Sequence, residues 1–227
     1  MLGKEKHKLD LSDHLIVNFV YQKVDNQVFL LYNYFIKYNK RDFKGRGDIM
    51  KKMTVFEMCM TAFFAALTAI LTQIAVPVGP VPITLGTFSV FLAGALLGAK
   101  LGAVSQAVYV LLGIFGVPVF SSFRAGVGVL FGPTGGYIAG YILAAGLVGF
   151  LVKRYGNKFY VIILAMLAGY CAYTLTGTCW YVYSMETGVA AALMVCVVPF
   201  IPGDVLKIVL ATILVRRLNP VLQKYLK

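Results

Sequence analysis

From Val55 onward, long apolar runs alternate with Pro, Gly and Lys/Arg breakers, and this alternation constrains the fold more than any other feature of the chain. Val55–Val76 supplies one such run, and Pro77, Gly79, Pro80 and Pro82 end it. As a helix at ~1.5 Å per residue it is about 33 Å long, enough to cross a hydrocarbon core ~30 Å thick. Thr87–Leu97 with its flanks predicts a second span, closed by Gly98-Ala99-Lys100, and Leu101–Gly116 a third, closed by Pro118. Tyr137–Val152 and Phe159–Tyr183 read as the fourth and fifth, and Gly188–Val215 as a sixth, interrupted at Pro199–Gly203. Backbone groups in lipid must be satisfied internally, which leaves helices or closed barrels, and unbroken apolar runs lack a barrel strand's alternation. The expected fold is an all-α integral membrane protein with six transmembrane helices.

Charge is distributed as this reading requires. The chain is 59% hydrophobic, 13% charged and has a mean hydropathy of +0.80. Eleven of its 21 Lys+Arg and six of its nine acids lie in residues 1–52. The net charge of +12 therefore belongs to the ends and loops of a membrane domain rather than to a nucleic-acid-binding face. With a cytoplasmic N-terminus, the inner segments hold Lys51, Lys52, Lys100, Lys153, Arg154, Lys158, Arg216, Arg217, Lys224 and Lys227, and the outer loops hold only Arg124. The positive-inside bias thus predicts both termini in the cytoplasm of a multi-pass protein of the cell membrane.

Residues 1–52 form a polar N-terminal extension and 53–227 the membrane domain. Within the extension, Val28–Phe35 is too short to span, and the order of charged and apolar parts is wrong for a cleavable signal. Lys44-Gly45-Arg46-Gly47 precedes Met50, and Gly-Arg-Gly can be encoded by a purine-rich ribosome-binding site. Two readings stand: residues 1–49 are not native coding sequence, or they are a genuine cytoplasmic extension.

Catalysis and metal chemistry find little support. Cys59, Cys171, Cys179 and Cys196 lie in apolar stretches without a CxxC pair and read as small buried apolar side chains, while His7 and His14 have no ligand cluster near them. Gly132–Gly136 lacks the lysine of a phosphate-binding loop, so no ATP hydrolysis is expected of this chain. The expectation is a non-enzyme without metal or cofactor.

The charges inside the apolar runs are the candidate site. Asp204 and Lys207 are three apart on one helix face and can pair. Lys207 precedes Arg216 by nine residues, about 14 Å along a helix, which places it near mid-membrane, where a charge costs ~2.5–3.5 kcal/mol. A ligand role and a structural ion pair are both open on this reasoning. The Pro199–Gly203 break favours the former, because irregular backbone at that depth must line a cavity or be buried in protein. Arg124 is either a solvated loop residue or a bidentate partner for a carboxylate.

Four segments, Val81-Pro82-Ile83-Thr84-Leu85, Gly116-Val117-Pro118-Val119-Phe120, Gly132-Pro133-Thr134-Gly135-Gly136-Tyr137 and Pro199-Phe200-Ile201-Pro202-Gly203-Asp204-Val205-Leu206-Lys207, closely resemble the BioY family. These are the biotin-binding S components of energy-coupling factor (ECF) transporters, and the resemblance covers residues 53–227. It implies capture of biotin from outside for ATP-driven uptake into a bacterial cell, with a coupling (T) subunit and two ATPase subunits supplied by other chains. It implies that Asp204, Lys207 and Arg124 contact biotin, with Thr84, Tyr137 and Trp180 as further candidates. Asp204 suits the ureido N–H groups, and Lys207 or Arg124 the ureido carbonyl or the valerate carboxylate. Trp180, with Tyr181 and Tyr183, reads equally as part of an interfacial aromatic belt. The small-residue pairs Ala62/Ala66 and Ala65/Ala69 permit close helix approach, and the family implies docking of the coupling subunit there. Two departures stand out: Gly86 where many members carry Gln, and Ser122-Phe123 where they carry Gly-Gly. The first removes a polar contact, and the second places Phe123 where it can cover the pocket.

Overall fold

A computed structural model describes residues 53–77 and 79–222, so the expectations for residues 1–52 lie outside it. The described helices belong to one packed unit, residues 56–227. In chain order they are α1 (Val55–Gln73), α2 (Gly86–Ile114), α3 (Val127–Phe131), α4 (Gly135–Tyr155), α5 (Phe159–Met185), α6 (Val189–Cys196) and α7 (Ile201–Leu222). Among the described residues, five helical stretches are long and apolar enough to cross a membrane, with α6 and α7 counted as one. The protein is an all-α membrane protein save for a two-stranded antiparallel ribbon, β1 (Ala75–Val76) with β2 (Ile83–Thr84), which pairs Ala75 with Thr84 and Val76 with Ile83. The expected first span thus stops three residues early, where the chain turns into the ribbon.

The second and third expected spans fall within α2, which is not straight. Gly98 has φ 81°, ψ 177°, a conformation open to glycine. A Cβ on Gly102 would lie 3.0 Å from the Ala93 carbonyl oxygen and from Gly94 Cα. In a continuous helix residues 94 and 102 would be ~12 Å apart, so the chain reverses at Gly98 and residues 86–97 lie against residues 99–114. The first half, at ~18 Å, is shorter than a bilayer core. Its N-terminus therefore starts inside the bundle, beneath the ribbon.

Helix α1 meets α2 through a polar stripe. Thr61, Thr68 and Thr72 are buried, and each hydroxyl donates to the carbonyl four residues earlier (Glu57 at 2.7 Å, Phe64 at 2.8 Å, Thr68 at 2.6 Å). Thr68 also reaches Ser89 at 2.9 Å. These bonds satisfy the hydroxyls without water, as burial in lipid or protein requires. The opposite face presents Met58, Phe63 and Ile70 to the surroundings. Helix α4 packs against α2 and α5, and α7 closes the bundle against α2 and α5.

The break in the last span lies slightly upstream of the expected Pro199–Gly203. Helix α6 ends at Cys196, Val197 is non-helical, Val198–Phe200 form a 3-10 turn, and α7 starts at Ile201. Pro202 thus stands inside the first turn of α7, where its missing N–H costs no helix bond. The cysteines also differ from expectation. Only Cys196 is buried, whereas Cys59, Cys171 and Cys179 are exposed, because their helices turn those positions outward, where an apolar thiol suits lipid.

Candidate functional site

Asp204 sits in the first turn of α7, and Thr87 in the first turn of α2. Lys207 Nζ donates to Asp204 Oδ1 at 2.7 Å and to Thr87 Oγ1 at 3.2 Å, and the Thr87 hydroxyl faces Asp204 Oδ1 at 3.5 Å. Asp204 and Lys207 are 2% and 6% exposed, so the pair is buried. The carboxylate lies at two helix N-termini, whose partial positive charge adds to that of Lys207 in offsetting its desolvation. Asp204 Oδ2 is buried without a hydrogen-bond partner among the described residues. The group therefore retains an unused acceptor, the valence a ligand N–H would fill.

Beside this triad lies a cavity of about 30 Å³, lined by Thr84, Ser121, Thr134, Tyr137, Tyr141 and Tyr173 among others. The rings form a ladder across three helices, with Tyr109 6.1 Å from Tyr141, Tyr141 5.6 Å from Tyr173, and Tyr173 5.2 Å from Tyr137. Tyr141, Tyr170 and Tyr173 stand within electrostatic reach of Asp204, which joins the ladder to the ion pair. Thr134 Oγ1 is a second buried polar atom without a partner here. The site thus combines flat apolar walls with a few aimed polar groups, the usual make-up of a small-molecule pocket.

The structure sorts the residues expected from sequence. Thr84 and Tyr137 line the cavity; Thr84 Oγ1 lies 3.4 Å from the Tyr141 hydroxyl, and Tyr137 pairs with Thr178 at 3.1 Å. Trp180 donates Nε1–H to the Gly132 carbonyl at 2.9 Å, so it anchors the loop before α4 and is absent from the cavity lining. Arg124 is exposed, and its guanidinium holds Ser121, through the carbonyl and the hydroxyl, each at 3.1 Å. It stands one residue behind the lining rather than in it. Phe123 does not cover the pocket: it is 71% exposed, and Phe120, 1% exposed, takes that place.

Both departures from the family pattern acquire a physical meaning. A Cβ on Gly86 would lie 2.6 Å from Thr72 Oγ1 and 2.9 Å from the Tyr141 hydroxyl, so this position is occupied by the packing of its neighbours and has no room for a long side chain as they stand. Ser122 and Phe123 have φ of 59° and 56°, the left-handed region that glycine enters freely and other residues enter at a cost of ~1–2 kcal/mol each. Gln73 offsets that strain. Its Oε1 accepts the Phe123 N–H at 2.9 Å, and its Nε2 donates to the Phe120 carbonyl at 3.1 Å.

Thr87, Tyr141, Tyr173, Thr134 and Gln73 escaped the sequence reading. The tyrosines carried one legible signal, since Tyr137 and Tyr141 are four apart and share a helix face. Gln73 carried none, because its partners are about fifty residues away.

The small-residue face of α1 divides in two. Ala62 and Ala66 point out of the bundle, whereas Ala65 is 1% exposed within the core, and Ala69 packs against that core. The first pair is the more exposed of the two. Ala65 is thus covered within this chain, where it cannot meet a partner, and Ala69 is half-buried against the same core.

Fold and site together define a multi-pass helical membrane protein with a small, tyrosine-lined cavity beside a buried ion pair. Residues 48–224 match the BioY family, and the chain belongs to that family. It is 39% identical over 167 residues to the probable biotin transporter BioY of Pyrococcus horikoshii, covering 74% of this chain and 98% of that protein. It is 38% identical over 166 residues to the biotin transporter BioY of Thermotoga maritima, covering 72% and 95%. A crystal structure of the S-component for biotin from an ECF-type ABC transporter superposes with a TM-score of 0.69 at 29% identity, over 75% of this chain and 94% of that one.

Proposed function

We propose that this chain is the substrate-capturing component of an ECF-type importer and binds biotin in the Asp204–Lys207 pocket. The observation that carries the reading is the unpartnered Asp204 Oδ2, held beside Lys207 Nζ and a wall of tyrosines. The ureido ring brings N–H donors for that oxygen and a carbonyl for a cation. The apolar thiophane ring and valerate chain suit the ladder Tyr109–Tyr141–Tyr173–Tyr137. Ligand pockets are typically ~300–1,000 Å³, so a cavity of about 30 Å³ corresponds to a closed arrangement that opens to admit substrate. Residues 81–84 and 120–121, which line the cavity, are the segments that must part. Arg124 then takes the carboxylate, with Ser121 as the group it leaves.

The Lys/Arg bias supports six crossings with both termini on the inner side, the reversal at Gly98 supplying the sixth. Residues 53–227 are then the biotin-binding domain, the pocket faces outward, and Ala62/Ala66 face the coupling subunit, with two ATPase subunits beyond it. The named relatives are transporters, which supports transport rather than catalysis as the role. Calorimetric titration of the purified chain with biotin tests the reading. Wild type should bind, and Asp204→Asn should weaken binding at least about tenfold, because an unpaired buried group costs ~1–3 kcal/mol or more when charged. No heat of binding from folded wild-type protein would end the proposal.

A further inference from the structure

A second cavity, of about 650 Å³, lies at the opposite end of the bundle, between α2, α4 and α7. Its walls include Leu97, Gly98, Gly149 and Gly156, with Lys153 at the mouth and Asn219 on the α7 side. Lys153 and Gly156 are exposed, whereas Asn219 is 3% exposed, so the cavity runs from the surface to a buried amide. Asn219 Oδ1 has no hydrogen-bond partner among the described residues. A Cβ added to Gly98 or Gly156 would meet nothing within 4 Å, and those positions leave the space open.

The electrostatics of this space are mixed in a particular way. Two helix C-termini converge on it: the first half of α2 ends at Gly98, and α4 ends at Tyr155. Helix C-termini carry partial negative charge and spare carbonyl acceptors, and the Asn219 oxygen adds another acceptor. The second half of α2 starts beside them at Ala99 and offsets part of that charge, so what the floor offers is chiefly acceptors, the Asn219 oxygen foremost, for a group with several N–H donors. At the mouth the demand is reversed, because no carboxylate lines the cavity to answer Lys153. A lysine or arginine from another protein would satisfy the floor and repel Lys153, while a simple anion would satisfy Lys153 and oppose the floor. A molecule carrying a primary ammonium a short distance from a phosphate satisfies both.

We infer that this cavity is a headgroup site for a phospholipid bearing a primary ammonium, phosphatidylethanolamine in chemistry, with the ammonium on Asn219 and the two helix C-termini and the phosphate on Lys153. Its position suits a lipid. Lys100, Arg154, Lys158, Arg216 and Arg217 lie in the turns and helix ends flanking the same end of the bundle, the level at which basic residues meet phosphates. The bound headgroup ties α7, which carries Asp204 and Lys207, to the α2 reversal. The site thus anchors the pocket helix from below.

Native mass spectrometry of the delipidated full chain, offered phosphatidylethanolamine, phosphatidylcholine or phosphatidylglycerol, tests the inference. One phosphatidylethanolamine should be retained with about tenfold preference over the other two, since a quaternary ammonium has no N–H to give and a glycerol headgroup no charge. Asn219→Leu and, separately, Lys153→Gln should each erase the preference, and Asn219→Asp should keep it. Lys153 is exposed, so the second variant tests the site even where the first fails to fold. Equal retention of all three lipids, or preference unchanged in Lys153→Gln, would overturn the assignment. Displacement of the lipid by soluble phosphoethanolamine at micromolar concentration would also overturn it, by making a free metabolite rather than a membrane lipid the ligand.

Discussion

At the Thr84 end of the bundle a cavity of about 30 Å³ is lined by Val81, Pro82, Thr84, Phe120 and a ladder of tyrosines, whereas at the Lys153 end a cavity of about 650 Å³ lies between helix ends. Beside the smaller space, behind Tyr141 and Tyr173, lies the chemistry that costs most to build. Burying a Lys–Asp pair requires a partner for nearly every polar atom, and Thr87 and Lys207 supply all but one oxygen of Asp204. The larger space has one exposed lysine and one buried amide. The contrast teaches that volume alone does not mark a candidate site, since the smaller cavity is the one beside the buried ion pair.

The strongest challenge to this contrast is to unbalance the pair. Lys207→Met should destabilise the protein by ~3–5 kcal/mol, because it leaves Asp204 charged, buried and unanswered. The double variant Asp204→Asn/Lys207→Met should regain most of that stability while remaining unable to bind biotin, as read by thermal unfolding in detergent and by calorimetry. A double variant that binds like wild type would strip the pair of its ligand role.

A steric test separates the two faces of α1. Ala62→Trp should abolish biotin uptake in cells yet leave binding by the purified chain intact, because Ala62 points out of the bundle. Ala65→Trp should impair both, since overpacking a core position costs ~1–3 kcal/mol or more, and Ala65 lies in the cluster that contains Tyr137 and Tyr141. Equal effects on binding from the two variants would erase the distinction between an outer docking face and an inner packing face.

A smaller effect is expected at Arg124. If its guanidinium takes the carboxylate, Arg124→Ala should weaken biotin about tenfold more than it weakens an uncharged biotin amide, because only the carboxylate forms the bidentate charged pair. Two proteins titrated against two ligands measure that coupling directly. A coupling near zero would assign the carboxylate to Lys207.

The mildest change sharpens how the site is shut. Gln73→Ala removes the bonds that hold Phe120 and Phe123, at ~1 kcal/mol each, and should speed both entry and release of biotin several-fold. Phe123→Gly should recover part of the lost stability, since glycine enters the left-handed region without the penalty. Unchanged stopped-flow rates in Gln73→Ala would show that this clamp does not limit opening.

Much of this was readable from the chain itself. Apolar runs longer than a bilayer core, broken by Pro and Gly, dictate membrane helices because lipid offers the backbone no other partner. The spacing of Asp204 and Lys207 dictates a shared helix face. Their depth makes an ion pair the cheapest state, and the pair is found. Those are local or solvent-imposed constraints, and they survive folding unchanged. Tertiary structure alone decided that Thr87 completes the pair, that Arg124 binds Ser121 rather than the pocket, and that Gln73 clamps a loop about fifty residues away. It also decided which alanines face outward. Each of these depends on where two distant segments meet once α2 has reversed at Gly98; the Gly98-Ala99-Lys100 breaker marks that turn in the sequence, and the packing of residues 86–97 against residues 99–114 fixes which side chains it brings together.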